Sequence, residues 1–437
     1  MKRGRKKALG EGIAMKRRKA TEIQIPPDVL RDVLAKLPAK SLMRFKCVSK
    51  FWCALIRDPC FVELHRTRSK TRPGGTSLII SLTTDTVCEK YFFFANHEGE
   101  PASHQRAVAI PTYDEASHQR TRATPVFCWG VSQVLNGLVC VIKFGHVQHS
   151  ATDRVSVCNL STHEITTLPA SSPKRSSYVS GYLFGCDPLA KYYKVLKLCT
   201  TAKLICGRHK NYHRENVTRC EVFTLGGGTT SWKTIDPLLY QFHYHCSFWI
   251  RSVCINGTIY WIRKSNFNGK IAIGTFDVME EKIGVISLPE NASPQSSPIQ
   301  VGGRLALVDR EVWTRPYHNI KLWILEDYDN QIWTQETIVI PRHETTLGRP
   351  LPIGTICGSG EILLVESKFS LPLRWLYYHQ ERREAREIEV PLLSVSENEV
   401  GFQNWPRLSR ATHKNLKRNL RRLWITDHVE NIFPLSS

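Results

Sequence analysis

The stretch "SVCINGTIYWI" (252–262), continued by "KIAIGTFDVMEEKIGVISLPE" (270–290), has a fixed internal order. A glycine turn precedes an apolar strand, a second strand follows, and a polar turn leads to a third strand that stops at Leu-Pro. The Asn-Gly pair suits a hairpin turn that needs positive φ. The same order recurs in "LNGLVCVIKFG" (135–145) with "RVSVCNLSTHEITTLPA" (154–170), and in "VGGRLALVDR" (301–310) with "IKLWILEDYDNQIWTQETIVIP" (320–341). It recurs more weakly in "GTICGSGEILLVES" (354–367) with "LYYHQERREAREIEVP" (376–391). The later openings fall roughly 45–55 residues apart, the length of a propeller blade. A small antiparallel sheet cannot bury both faces alone, whereas sheets stacked around an axis bury one another.

Outward from these units, "GYLFGCDPLAKYYKVLKLC" (181–199) and "TRCEVFTLGGGTTSWKTID" (218–236) supply another strand set. Its "TTSWKTI" resembles "DNQIWTQE": a turn, then Trp entering a strand. The sequence predicts a mainly-β propeller of about six blades over residues 78–400, which the repetition at blade length favours over the alternative, a pair of β-sandwiches. The part at 78–130 is the least legible, and its duplicated "ASHQR" (102–106 and 116–120) reads as an exposed loop insertion.

The chain has 437 residues, 42% hydrophobic and 10% aromatic, enough for a large core. No apolar run reaches the ~18 residues of a membrane span, and no secretory signal precedes the charged start, so the expectation is a soluble intracellular protein without a membrane partner. The fourteen cysteines are scattered without a C-x-x-C pair, mostly among apolar neighbours, as reduced thiols in a reducing compartment. The net charge of +21 is uneven: residues 1–20 carry +8 and residues 401–437 carry +5. Lys2, Arg3, Arg5, Lys6, Lys7, Lys16, Arg17, Arg18 and Lys19 form two basic clusters on an arm (1–22) expected to be disordered. That spacing suits a bipartite nuclear import signal, hence a nuclear and cytoplasmic location. The alternative is a solvated arm that binds acidic polymers.

Ahead of the β body lies "IPPDVLRDVLAKLPAKSLMRFKCVSKFWCALIRDP" (25–59). Pro26 and Pro27 open a helix, Asp28 suits its first turn, and Val29, Leu30, Val33, Leu34 and Leu37 follow at helical spacing until Pro38. A second helix opens at Ala39 or Ser41 and carries Leu42, Phe45 and Val48. A third follows Ser49 with Trp52, Leu55 and Ile56. Three short helices over 23–66 are too few for a core of their own. Their apolar residues, rimmed by Arg31, Lys36, Arg44 and Lys46, are therefore expected to meet a partner rather than the β body. "RTRSKTRPGGTS", with the boundary at 67–77, reads as a flexible linker.

This segment resembles an F-box, through the Pro26–Asp28 start, "LAKLP" (34–38), Leu42, "CVSKFW" (47–52) and "DPCF" (58–61). Ile25 stands where that family more often has Leu. The rest is similar to the F-box-associated, kelch-like β regions of land plants, through "LNGLVC", "FGCDPLAKYYKVLKL", "CEVFTL…SWKTI", "NGTIYW", "IGTFDVMEEKIGVISLP" and "LWILEDYDNQIWTQE". "CNLSTHEITTLP" lacks the Asn-Pro usual there. The resemblance implies an α+β multidomain substrate receptor of a cullin–RING ubiquitin ligase. Its F-box would dock a Skp-type adaptor, and through it cullin, by Pro26, Leu30, Leu34, Leu37, Pro38, Leu42, Val48 and Trp52. The propeller would capture an unknown target, and no cofactor or catalytic residue is implied. A nuclear nucleic-acid-binding protein using its basic ends is the alternative.

Other chemistry is thinner. Cys206, His209, His213 and Cys220 hold four ligand types in a spacing that matches no common zinc finger and is crowded by Lys and Arg; the default is a loop between strands. "FHYHC" (242–246) reads as blade-edge aromatics. "LGGGTTS" (225–231) lacks the Lys of a phosphate loop and reads as a hairpin turn. In 401–437, Leu416, Leu420, Leu423 and Trp424 recur at helical spacing among Lys417, Arg418, Arg421 and Arg422, predicting a basic amphipathic helix; it caps an open end of the domain or, alternatively, binds an acidic partner, a membrane surface or nucleic acid.

Overall fold

The computed structural model describes residues 26–83, 90–95, 97, 108–110, 128–144, 153–170, 177–189, 192–206, 212–226, 228, 230–235, 251–264, 271–294, 296–309, 319–340, 345–348, 350–356, 359–366, 373–390 and 423–435. The basic arm, both "ASHQR" copies, "FHYHC", His209 and the region 401–422 lie outside them.

Among the described residues four helices come first, not three: α1 (Pro27–Leu34), α2 (Ala39–Lys46), α3 (Lys50–Arg57) and α4 (Pro59–Ser69). Pro27 occupies the first turn of α1, where its missing N–H costs nothing. Pro38 does not end α1, which stops at Leu34; it precedes α2. Ser49 caps α3 by accepting from the Trp52 amide at 3.3 Å, and Asp58 caps α4 by accepting from Phe61 at 3.0 Å. The Asp58–Pro59 pair is thus the start of the longest of the four helices, because Asp caps and Pro fits the first helical position.

Among the described residues, twenty-four strands then form six four-stranded antiparallel sheets. Five are blades of consecutive strands: β4–β7 (Cys128–Val131, Leu138–Phe144, Arg154–Asn159, Ile165–Thr167); β8–β11 (Ser177–Cys186, Tyr193–Cys206, Tyr212–Leu225, Lys233–Ile235); β12–β15 (Ser252–Ile255, Thr258–Lys264, Ile271–Asp277, Lys282–Ser287); β16–β19 (Ser297–Val301, Arg304–Val308, Asn319–Asp327, Ile332–Val339); and β20–β23 (Pro350–Thr355, Ile362–Glu366, Leu373–His379, Glu384–Val390). The sixth sheet is composite. Strand β24 (Leu423–Val429) pairs with β1 (Thr76–Thr83), followed by β2 (Lys90–Ala95) and β3 (Val108–Ile110). The expected count of about six therefore resolves into five continuous blades and one sheet that joins the two ends of the β body.

Three sequence expectations change here. Leu423 and Trp424 lie in a strand rather than a basic helix, so the closing element works by backbone pairing to β1. The propeller accordingly runs from Thr76 to Val429, not from 78 to 400. The glycine turns also mark a different place in the repeat. They join the first to the second strand of a blade, so each blade begins one strand before them.

The turns themselves follow the expected chemistry. Asn136–Gly137 have φ of 49° and 80°, and Asn256–Gly257 have 48° and 86°, the positive values a two-residue hairpin needs. A second recurrent feature was not read from the sequence. The turn between the third and fourth strands places a left-handed residue four positions past the strand end: His163, Glu281, Gln331 and Arg383, after Asn159, Asp277, Asp327 and His379. The strand-ending side chain caps that turn, Asp277 Oδ1 accepting from the Glu280 amide at 2.7 Å and Asp327 Oδ1 from Asn330 at 3.0 Å. Asn159 does the same for Ser161 and Thr162, which keeps "NLSTHE" tight without a proline.

These turns reach the blade before them. Trp232 Nε1 donates to the Pro169 carbonyl at 2.7 Å, Glu281 pairs with Lys233 and Lys194, Gln331 accepts from the Ser287 amide, and Gln380 donates to Glu336. Inside that seam lie the apolar contacts between blades, built around side chains such as Trp261, Phe276, Leu322 and Leu364, each almost fully buried.

Candidate functional site

The helices sort their apolar residues into two groups. Leu34, Ala35, Ala39, Leu42, Ile56, Phe61 and Val62 are buried together, with Leu30, Leu37, Phe45, Trp52 and Leu55 packed at their edge. Val29, Val33, Val48 and Phe51 remain 50–68% exposed. Of the eight residues expected to bind an adaptor, Leu34 and Leu42 are thus core. Leu30, Leu37, Pro38 and Trp52 are half-buried, and Pro26 and Val48 are exposed. The sequence reading missed Val33 and Phe51 as exposed residues. Phe51 sets its ring edge-on to Trp52 at 5.8 Å, and Trp52 in turn meets Phe45 at 5.4 Å, so α2 and α3 carry an aromatic group with one ring facing outward.

The expected separation of helices and β body is overturned. Helix α4 runs to Ser69, and "TRPGGTS" is a tight turn rather than a tether. The amides of Thr71 and Arg72 reach back to the Arg68 carbonyl, and Gly75 donates to Arg72 at 3.0 Å. A Cβ on Gly75 would overlap the Ser69 carbonyl, so this close approach demands glycine. Arg66 Nη1 donates to Asn136 Oδ1 at 2.8 Å, and Lys46 pairs with Glu164 at 3.4 Å, both on the first continuous blade. Ile432, from the segment after β24, completes the helical core at 2% exposure. Lys46 therefore belongs to the seat on the propeller, not to the rim of a free surface.

Within that seat His65 is fully buried, its Nε2 within 3.0 Å of the Leu37 carbonyl and its Nδ1 without a partner. Burial lowers its pKa to about 4; the Leu37 carbonyl opposes this, and the Arg72 guanidinium adds to it. The unfolded imidazole takes up a proton near 6.5 and the folded one only near 4. The stability tied to neutral His65 is therefore complete above about pH 6.5 and lost as pH falls towards 4, up to about 3 kcal/mol. Helix unfolding followed at pH 7 and at pH 4.5 should show this loss. His65→Gln, which keeps a donor for Leu37, should flatten the slope; an unchanged slope would remove His65 as its cause.

The metal candidate does not assemble. Across the β9–β10 hairpin Cys206 faces Tyr212, while Cys220 faces Leu198, eight positions away and roughly 26 Å along the strand. Cys220 is also part of the apolar core. Among the described residues no group of His, Cys, Asp and Glu could hold a metal ion. The buried thiols are held protonated: burial pushes Cys158 and Cys254 up to about 12 and Cys186 and Cys199 up to about 11. They pack as small apolar side chains.

Comparison with known proteins agrees with this division. Residues 23–64 match the F-box domain, and residues 77–429 match the F-box associated beta propeller domain. F-box protein DOR of Arabidopsis thaliana is 29% identical over 84% of this chain and 88% of its own length. A second F-box protein of that plant is 29% identical over 86% of this chain and 91% of its own. A putative F-box protein of the same plant is 30% identical over 84% and 85%. The propeller is thus of the F-box-associated kind and not specifically kelch. Four helices seated on a β body closed by its own end strands, matched from one module to the other, place the chain in the family of F-box proteins with an F-box associated β-propeller domain.

Proposed function

We propose that the chain is a substrate receptor of a Skp–cullin–F-box ubiquitin ligase. The helical module docks the adaptor through Val29, Val33, Val48 and Phe51, with Leu30 and Trp52 supporting them, and the propeller captures the target. The observation that carries this reading is apolar surface kept outward on helices that already have a complete core. Side chains such as Val48 and Phe51 contribute little to the module's own fold and suit a protein partner.

Topology favours the far face of the propeller for the target. The tight turns Asn256–Gly257 and Gly302–Gly303, and those that end in His163, Glu281, Gln331 and Arg383, all lie at the blade ends level with the helices. The strand ends at Ile110, Ile235 and Val390, from which the sequence continues for 15 or more residues to the next strand, lie at the opposite ends. Longer connections supply the variable surface on which recognition is built. The chain's own contribution to ubiquitin transfer would be positional, raising the effective concentration of a target lysine near the conjugating enzyme. The two basic clusters of residues 1–20 fit entry to the nucleus within the same reading.

Co-purification of the full chain with a Skp-type adaptor tests the proposal. A stoichiometric complex that survives gel filtration is expected. No complex at micromolar concentrations of both proteins would refute it.

A further inference from the structure

Helix α2 begins without a cap of its own. Pro38 offers no side-chain acceptor, and "AKSL" puts no carboxylate in the first turn. The missing acceptor arrives from far along the chain. Glu430 Oε2 accepts from the Ala39 amide at 3.2 Å and pairs with the Arg72 guanidinium, whose other nitrogen donates to the Leu37 carbonyl at 2.6 Å. A carboxylate at a helix N-terminus is favoured by the helix dipole and by the unsatisfied amides there. The Glu430 amide also donates to Gly75 at 2.9 Å, which fixes the segment where β24 ends.

The next residues face both ways. Ile432 joins the core that holds Leu34, Leu42 and Phe61, while Phe433 sets its ring edge-on to Tyr193 at 5.0 Å in the second continuous blade. Asn431 donates through Nδ2 to the Asn136 carbonyl at 2.5 Å and through its amide to Ser161 Oγ at 3.0 Å. Asn159 Nδ2 donates to the Phe433 carbonyl at 2.9 Å. Glu164 accepts from the Leu435 amide with one oxygen at 3.1 Å and meets Lys46 of α2 with the other. Glu430 and Asn431 are buried to 3% and 1% exposure, so water cannot replace these partners cheaply.

We propose that Glu430–Leu435 is a latch that sets the orientation of the helical module on the propeller, with Glu430 and Ile432 as positioning residues. The latch caps α2, completes the helical core and ties both to the first two continuous blades. The consequence for ubiquitin transfer rests on the receptor reading: adaptor and target would be held at one fixed span. The latch itself does not depend on that reading.

The test uses the full chain with Ile432→Ala, Ile432→Val and Glu430→Gln. Hydrogen exchange by mass spectrometry follows peptides from α2 and α4 and, as reference, from β21 and β22. A zero-length carbodiimide cross-link between Lys46 and Glu164 reports the orientation directly. In Ile432→Ala, exchange in α2 and α4 should quicken about tenfold or more with β21 and β22 unchanged, and the cross-link yield should fall in step. Ile432→Val should recover most of both. Glu430→Gln, too conservative to unfold the chain, should quicken exchange at the start of α2 alone. Unchanged helices in Ile432→Ala, or helices and blades loosening together, would each overturn the latch. Adaptor co-purification with the same proteins keeps the two readings apart. Absence of binding in the wild type would refute the receptor reading, and the exchange data would still decide the latch.

Discussion

Replacing Val48 and Phe51 together by Asp should leave the chain folded and abolish adaptor capture. Both side chains are mostly exposed, at 68% and 60%, so their loss should change the unfolding midpoint by less than about 1 kcal/mol. A partner that buries them would lose an aromatic anchor and face two desolvated carboxylates. That costs at least ~2 kcal/mol, a drop in affinity of about thirty-fold or more. Leu42→Asp is the contrasting variant. Leu42 is fully buried in the helical core, so a carboxylate there unfolds the module by more than about 4 kcal/mol and removes binding indirectly. Leu37 and Pro38 make poorer probes, because Leu37 edges the core and its carbonyl anchors both His65 and Arg72. Adaptor titration by calorimetry, beside circular dichroism of each variant, separates the cases. Full affinity in the Val48/Phe51 double variant would show that the outward apolar residues are not the docking surface.

What the sequence could reveal followed from local chemistry. Asn-Gly turns, strand alternation and blade spacing gave the propeller, because each is decided within a few residues. The start of α1 was legible for the same reason, since Pro26, Pro27 and Asp28 act within one helical turn. The phase of the repeat was not. Glycine turns are the loudest signal, yet they lie one strand inside each blade. Nothing local tells a first strand such as Ser252–Ile255 from a last one. Exposure was misjudged where the partner is distant in sequence. Helical spacing within α1 and α2 shows that Leu34 and Leu42 face an apolar environment, but not that Ile432 supplies part of it. The segment after β24 was hidden for the same reason. "DHVENIF" carries no periodicity, and its role appears only when Glu430 meets Ala39 and Arg72. The spacing of Leu416, Leu420, Leu423 and Trp424 points to a helix, whereas the described part pairs with β1 as a strand, tertiary pairing overriding a helical pattern.

The propeller itself should be most sensitive at Gly274. In the register of β13 and β14, Gly274 stands directly opposite Trp261, and the indole occupies the place where a side chain would be. A Cβ added at Gly274 would come within 2.5 Å of Trp261 Cζ2, nearer than real Cβ contacts allow. Trp261 is 1% exposed and wedged among Leu183, Ile259 and Phe276, so it cannot swing aside without moving the wall between two blades. Gly274→Ala should therefore cost about 3 kcal/mol or more through overpacking, with the denaturation midpoint falling and the slope unchanged. Gly228→Ala is the control. It has positive φ but open space around its Cβ, so it should cost only the left-handed backbone penalty of ~1–2 kcal/mol. Trp261→Leu should cost ~3 kcal/mol as a cavity. Combined with Gly274→Ala it should cost clearly less than the sum of the two, since the smaller side chain leaves room for the methyl. Strict additivity in that double variant would mean that the indole and the glycine do not share one packing site, and that the glycine serves the strand's backbone instead.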